Sequence, residues 1–100
     1  MAEALILEFT GIGKSEYDAV NEKLGIDMTN GSGDWPRGLL MHAAGTEDGG
    51  KFVVSEVWAS RADQETFMSQ RLGAALAAGG VTSAPAVTWV RLLAYHTPGS

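Results

Sequence analysis

DWPRGLLMHAAGTEDGGKFVVSEVWAS occupies residues 34–60. Within it, LLMHAAGT at 39–46 and KFVVSEVW at 51–58 are strand-like runs, and EDGG at 47–50 separates them. The two glycines accept the positive φ that a tight hairpin needs, so the runs are expected to pair as antiparallel neighbours. In the second run Phe52, Val54, Glu56 and Trp58 share one face, and Val53, Ser55 and Val57 share the other. Both faces are largely apolar, so each needs a cover. The first run is apolar or small throughout except for His42, the odd residue in a half-buried strand.

Working outward, ALILEFT at residues 4–10 alternates with period two and reads as a strand, followed by a GIG turn. KSEYDAVNEKLG then reads as a helix that sets Tyr17, Val20 and Leu24 on one face. Gly13 or Ser15 is placed to cap it, and Gly25 to end it in the left-handed conformation. IDMTNGSGDWPRG, residues 26–38, has loop composition. Downstream, Ser60 with Asp63 resembles a capping box, and a helix is expected from about Arg61 to Ala78 with Phe67, Met68, Leu72, Ala75 and Leu76 as its apolar face. The pair Gly79–Gly80 stops it. VTSAP is a loop, AVTWVRLLAYH at 86–96 a final strand, and TPGS a frayed end.

The order is β-α-β-β-α-β, an α+β arrangement of the ferredoxin-like type. Right-handed crossovers predict an antiparallel sheet of order 4-1-3-2 with both helices on one face. Residues 1–100 suit a single domain of modest core. Its second sheet face, also apolar, is expected to be covered by another copy, giving a homodimeric α/β barrel.

Composition removes several alternatives. Hydrophobic residues are 45% of the chain, and no run approaches the ~20 apolar residues of a membrane span. The start, MAEALILEF, does not read as a secretory leader, and the absence of cysteine fits the cytoplasm. Net charge is −5, with seven basic residues scattered along the chain, so no stripe exists to meet nucleic-acid phosphates. GIG and GSG lack the strand–loop–helix setting of a phosphate-binding loop.

Four segments together resemble a known family: GIGKSEYDAV, the 34–60 hairpin, QETFMSQRLGAAL, and the closing strand with AYH. Nearly the whole chain is similar to the dimeric α/β-barrel superfamily, and within it to small bacterial proteins related to antibiotic-biosynthesis monooxygenases. Its most specific features are the Trp-Pro-x-Gly approach, the histidine in strand two, the polar GG turn and the tryptophan ending strand three. The resemblance implies a homodimer and a small apolar or aromatic ligand. It does not name one reaction, because cofactor-free oxygenases, haem degraders, dechlorinating and isomerising enzymes share the architecture.

His42 is the candidate catalytic base, either reaching a ligand between sheet and helices or held as a core histidine. The resemblance supports the first by implying a histidine at this position. Trp58, Phe67, Met68, Leu72 and Glu56 are the candidate substrate-binding residues; Trp58 reads equally as a wedge between sheet and helix. Glu8 and Glu56, on adjacent strands, are expected either near one another or paired with Arg61, Arg71 or Arg91. Trp89, Arg91 and Tyr95 read as core or interface residues. His96 and His42 belong to opposite edges of the sheet and form no simple pair, so a metal site is not expected. The leading function is a cofactor-independent, monooxygenase-like enzyme acting on an aromatic or polyketide-type substrate, with proton-transfer isomerisation or cyclisation needing the same parts. The alternatives are a non-catalytic ligand-binding or structural dimer, and haem binding, against which the lack of a histidine in the second helix counts.

Overall fold

The computed structural model describes residues 2–99; Met1 and Ser100, the latter part of the expected frayed end, lie outside the described residues. Strand β1 (Glu3–Phe9) leads into helix α1 (Lys14–Leu24). Two short strands, β2 (Ile26–Asp27) and β3 (Ser32–Gly33), precede the long hairpin of β4 (Leu39–Thr46) and β5 (Phe52–Trp58). The second helical segment comprises α2 (Arg61–Phe67), a π turn (Met68–Leu72) and α3 (Gly73–Ala78), and β6 (Ala86–Arg91) closes the chain. The four long strands form one antiparallel sheet in the order β4-β5-β1-β6. It is an α+β architecture of the ferredoxin-like kind.

Period-two alternation sorts β1 and β5. Leu5, Leu7 and Phe9 join Phe52, Val54 and Trp58 on the face that packs with Val20 and Leu24 of α1 and Phe67 and Ala75 of the second helix. Gly25, at φ 77°, ends α1 in the left-handed conformation that only glycine adopts without strain. At the start of α1 the Gly13 N–H donates to Glu16 Oε1 at 2.8 Å. That bond, the largest influence on it, holds the Glu16 carboxyl below its ordinary range. Ser60 Oγ accepts from the Asp63 N–H and caps α2.

The structure departs from the sequence expectations in three places. The helix expected from Arg61 to Ala78 contains a π turn, which adds a residue and re-aims Met68 and Leu72. The 26–38 segment is not simply loop, since β2 and β3 pair within it. The final strand stops at Arg91 instead of running to His96. Past that point the Leu92 N–H donates to Ala2 O and the Tyr95 hydroxyl to Leu40 O, both at 3.4 Å. The first bond still follows the β1 register; beyond Leu92 the chain crosses the end of the sheet towards β4 and leaves the ladder.

Candidate functional site

A single inserted residue decides which way His42 points. In β4 the register runs Leu39 opposite Trp58, then Met41 opposite Val57, so Leu40 is a bulge without a partner of its own. In an unbroken strand Leu39 and His42 would lie on opposite faces, because they are three positions apart. The bulge cancels that odd step. His42 falls directly opposite Glu56, on the helix-covered face of the sheet.

There it enters a chain of four side chains. His42 Nδ1 lies 2.7 Å from Glu56 Oε2, and the other carboxylate oxygen, Oε1, accepts from Trp58 Nε1 at 3.0 Å. His42 Nε2 lies 2.5 Å from the Tyr17 hydroxyl, which α1 lowers onto the sheet. An ionised carboxylate only accepts, so Nδ1 carries the hydrogen, and in the neutral ring Nε2 accepts from Tyr17. Glu56 is 8% exposed and Trp58 fully buried. A carboxylate taken this far from water is tolerable because both oxygens have partners. The Tyr17 and His42 rings stack with centroids 5.9 Å apart, and Trp35 tilts over the imidazole at 5.8 Å.

The chain borders a cavity of about 70 Å³ between sheet and helices, with an almost wholly apolar lining. Glu56, Phe67, Met68 and Leu72, expected at a binding site, all line it, as do His42 and Tyr17. Trp58 sits one layer back: it braces Glu56 and lies 5.8 Å from the Phe67 ring, between sheet and second helix. The π turn presents Met68 and Leu72 to the same space. Arg71, in that turn, donates to the carbonyls of Leu24 and Asp34 at 2.9 and 2.7 Å, and so ties the second helix to the 26–38 segment that supplies Met28, Trp35 and Pro36 to the cavity wall.

Glu8 and Glu56 do not meet. Glu8 pairs with Val53 in the register and belongs to the opposite sheet face, 4.0 Å from Lys51. Glu56 finds a histidine where an arginine was the expected partner; Arg61 instead pairs with Glu3 and lies over the Trp89 ring, and Arg71 reaches Asp34. Trp89 is half-buried against the core, whereas Tyr95 lies beyond the strand. His96 is exposed. Among the described residues no group of three or more His, Cys, Asp or Glu could hold a metal ion.

Two cavity residues were not singled out as functional from sequence. Tyr17 read as part of the apolar stripe of α1. Asn21 occupies the same face one turn on, and a polar residue at i+4 from a buried tyrosine is the signal that marks it. Burial raises the Tyr17 phenol above its ordinary value, the neighbouring Asn21 amide opposes that shift, and the Glu56 charge adds to it. At neutral pH the phenol is therefore protonated, a hydroxyl that donates to His42.

No family model matches the chain, and no curated protein sequence matches it. Two solved structures share its fold. One is a protein of unknown function from Nitrosomonas europaea, with a TM-score of 0.66 and 20% identity over 99% of this chain and 96% of that one. The other is a candidate antibiotic biosynthesis monooxygenase from Chloroflexus aurantiacus, with a TM-score of 0.66 and 16% identity over 99% of this chain and all of the other. At these identities the similarity is one of fold.

Proposed function

We propose that this protein binds a small aromatic or polyketide-type molecule and oxygenates it without a cofactor, with His42 as the base. The observation that carries the reading is the Tyr17–His42–Glu56 chain on the wall of an apolar cavity between sheet and helices. Its layout is that of a base oriented by a carboxylate, with a hydroxyl on its free nitrogen. Because both imidazole nitrogens are engaged, His42 acts through Tyr17. A ligand hydroxyl gives its proton to the Tyr17 oxygen, the Tyr17 proton passes to His42 Nε2, and Glu56 stabilises the imidazolium. The ligand is left as a phenolate or enolate in a dry site, the electron-rich form that reacts with dioxygen. One oxygen atom enters the substrate, the other leaves as water, and all four electrons come from the substrate. Phe67, Met68, Leu72 and the carboxylate of Glu56 shape the site, and Trp58 holds Glu56 in place. The candidate monooxygenase among the fold neighbours lends support at the level of architecture.

Oxygen consumption against a panel of phenols and quinols tests this. The wild type should consume oxygen with at least one of them, and His42→Ala should slow that reaction by about 10²–10⁴-fold, the usual worth of a positioned base. An unchanged rate in His42→Ala would remove the mechanism.

A second reading, a non-catalytic ligand-binding or structural dimer, draws on the size of the cavity. About 70 Å³ is well short of the roughly 300–1,000 Å³ of sites for drug-sized ligands. Haem is less well served, since it needs a free histidine nitrogen and a much larger space.

The apolar outer sheet face supports assembly under either reading. It carries Ile6 and Val53, both half-buried, with Val90 44% exposed nearby. A second copy packed face to face would cover it and complete a dimeric barrel. Sedimentation equilibrium reads the mass directly, and a monomer at micromolar concentration would count against it.

A further inference from the structure

Asn21 is 7% exposed and lines the cavity, and its Nδ2 is buried without a hydrogen-bonded partner among the described residues. An amide donor shut away from water and left unpaired is costly, and folded proteins rarely keep one without a use. Its position is informative. One helical turn before it, Tyr17 offers its hydroxyl to the same space, and that hydroxyl's hydrogen is committed to His42. The cavity therefore holds a donor without a well-formed hydrogen bond, the Asn21 amide, beside the Tyr17 oxygen, which that amide approaches closely enough to pull the phenol's pKa down. No lysine or arginine lines it, and its carboxylate, Glu56, has both oxygens occupied.

We infer that Asn21 selects the ligand: the site takes a neutral molecule carrying a carbonyl-type acceptor oxygen, which receives the Asn21 Nδ2 hydrogen. An anion would face the Glu56 carboxylate with no cation to offset it. A hydrocarbon of the same shape would leave the donor idle, and a site built around a polar group rejects an analogue that lacks the matching atom. The cavity's size restricts the ligand further. It is smaller than the ~150 Å³ apolar hole that admits a benzene ring, so a single-ring molecule enters only as Met68 and neighbouring wall residues give way. The inference rests on the small-molecule reading above and adds the chemical feature that the site recognises.

Cyclohexanone and methylenecyclohexane differ only in C=O against C=CH₂, and titrating each into the ¹⁵N-labelled full-length protein separates the possibilities. The expected result has three parts. The ketone binds the wild type about tenfold or more tightly than the alkene. The Asn21 side-chain NH₂ resonances move with the ketone alone. Asn21→Leu, which replaces the amide by an apolar group of the same shape, loses the preference and unfolds at an equal or higher temperature.

Equal affinities with unmoved amide resonances would overturn the inference and leave the small-molecule reading standing, with a water as the amide's partner. A lower unfolding temperature in Asn21→Leu would also overturn it, since the amide would then be holding the fold. Binding of neither probe to either protein would bring down the small-molecule reading and this inference with it. Should Asn21→Leu fail to fold, the wild-type amide resonances decide the question by themselves.

Discussion

The β4–β5 hairpin has two faces built in alternation, and each departs in part from the ordinary rule of burial: a polar pair sits within the apolar inner layer of Phe52, Val54 and Trp58, and apolar groups look outward. On the helix-covered face stand His42 and Glu56 with Trp58, a hydrogen-bonded polar group inside. On the other face stand Met41, Ala43, Val53 and Ser55, small or apolar groups turned outward, with Val57 already buried within the monomer. A lone monomer gains nothing from that exchange, because polar groups cost energy inside and apolar ones gain nothing outside. The contrast makes sense if the inner face serves chemistry and the outer face serves contact with another copy. The Leu40 bulge is the device that assigns residues to the two sides.

The comparison breaks most readily at its centre. Trp58→Ala removes a fully buried ring and the donor to Glu56 Oε1, and should destabilise the fold by about 3–5 kcal/mol in urea unfolding. A loss under 1 kcal/mol would mean that the inner layer is much less tightly packed than its burial implies. Glu56→Leu is a subtler cut. It strands the hydrogen of His42 Nδ1 and that of Trp58 Nε1 together, at a cost of about 2–4 kcal/mol. Glu56→Gln keeps an acceptor and should recover part of that stability while still slowing any His42-dependent oxygen uptake. If Glu56→Leu were as stable as the wild type, the carboxylate would not be anchoring the chain of side chains.

The outer face should respond differently. Val90→Lys, at a position already half exposed, is expected to change the monomer's own stability by less than about 0.5 kcal/mol. It should nevertheless shift sedimentation from dimer towards monomer, because a lysine cannot be buried unpaired in an apolar contact. A wild type that already sediments as a monomer would leave the outer face without the role that the comparison gives it.

The parts of the molecule that sequence reveals are those governed by local periodicity. Alternation exposed β1 and β5, and the i, i+3, i+7 stripe exposed α1, where Gly25 also marked the stop. The hidden parts depend on register and on third-element contacts. Nothing in LLMHAAGT announces that Leu40 is skipped in the pairing, so the facing of His42 could not be read from alternation. Glu56 shares the face of Phe52, Val54 and Trp58 and reads as a ligand contact or an arginine's partner until the histidine opposite it is in place. The π turn leaves no mark in the sequence, since MSQRL has ordinary helix composition. The final strand ends at Arg91 although LLAYH continues an apolar pattern; the Leu92 amide still reaches Ala2 O in the β1 register, but the Tyr95 hydroxyl finds its partner, Leu40 O, on the opposite edge of the sheet. Tyr17 was visible as a buried helix residue but not as the hydroxyl completing the chain, since its partner lies 25 positions away.

The smallest effect tests the protonation of that hydroxyl. Burial raises the Tyr17 phenol in the folded protein relative to the unfolded chain. For a group whose folded value is the higher one, the associated stability is fully present below the unfolded value, near pH 10. It fades as pH climbs through the folded value. The unfolding midpoint should therefore be insensitive to Tyr17 at neutral pH and decline above about pH 10, with a smaller decline in Tyr17→Phe. Phenolate absorbance near 295 nm follows the same event, and Tyr17→Phe isolates the Tyr17 share of it. If the Tyr17 share of that absorbance rises at the ordinary phenol value, near pH 10, Tyr17 lacks the dry surroundings that the relay needs. A late-ionising Tyr17 agrees with a neutral hydroxyl that passes protons to His42 without surrendering its own charge state.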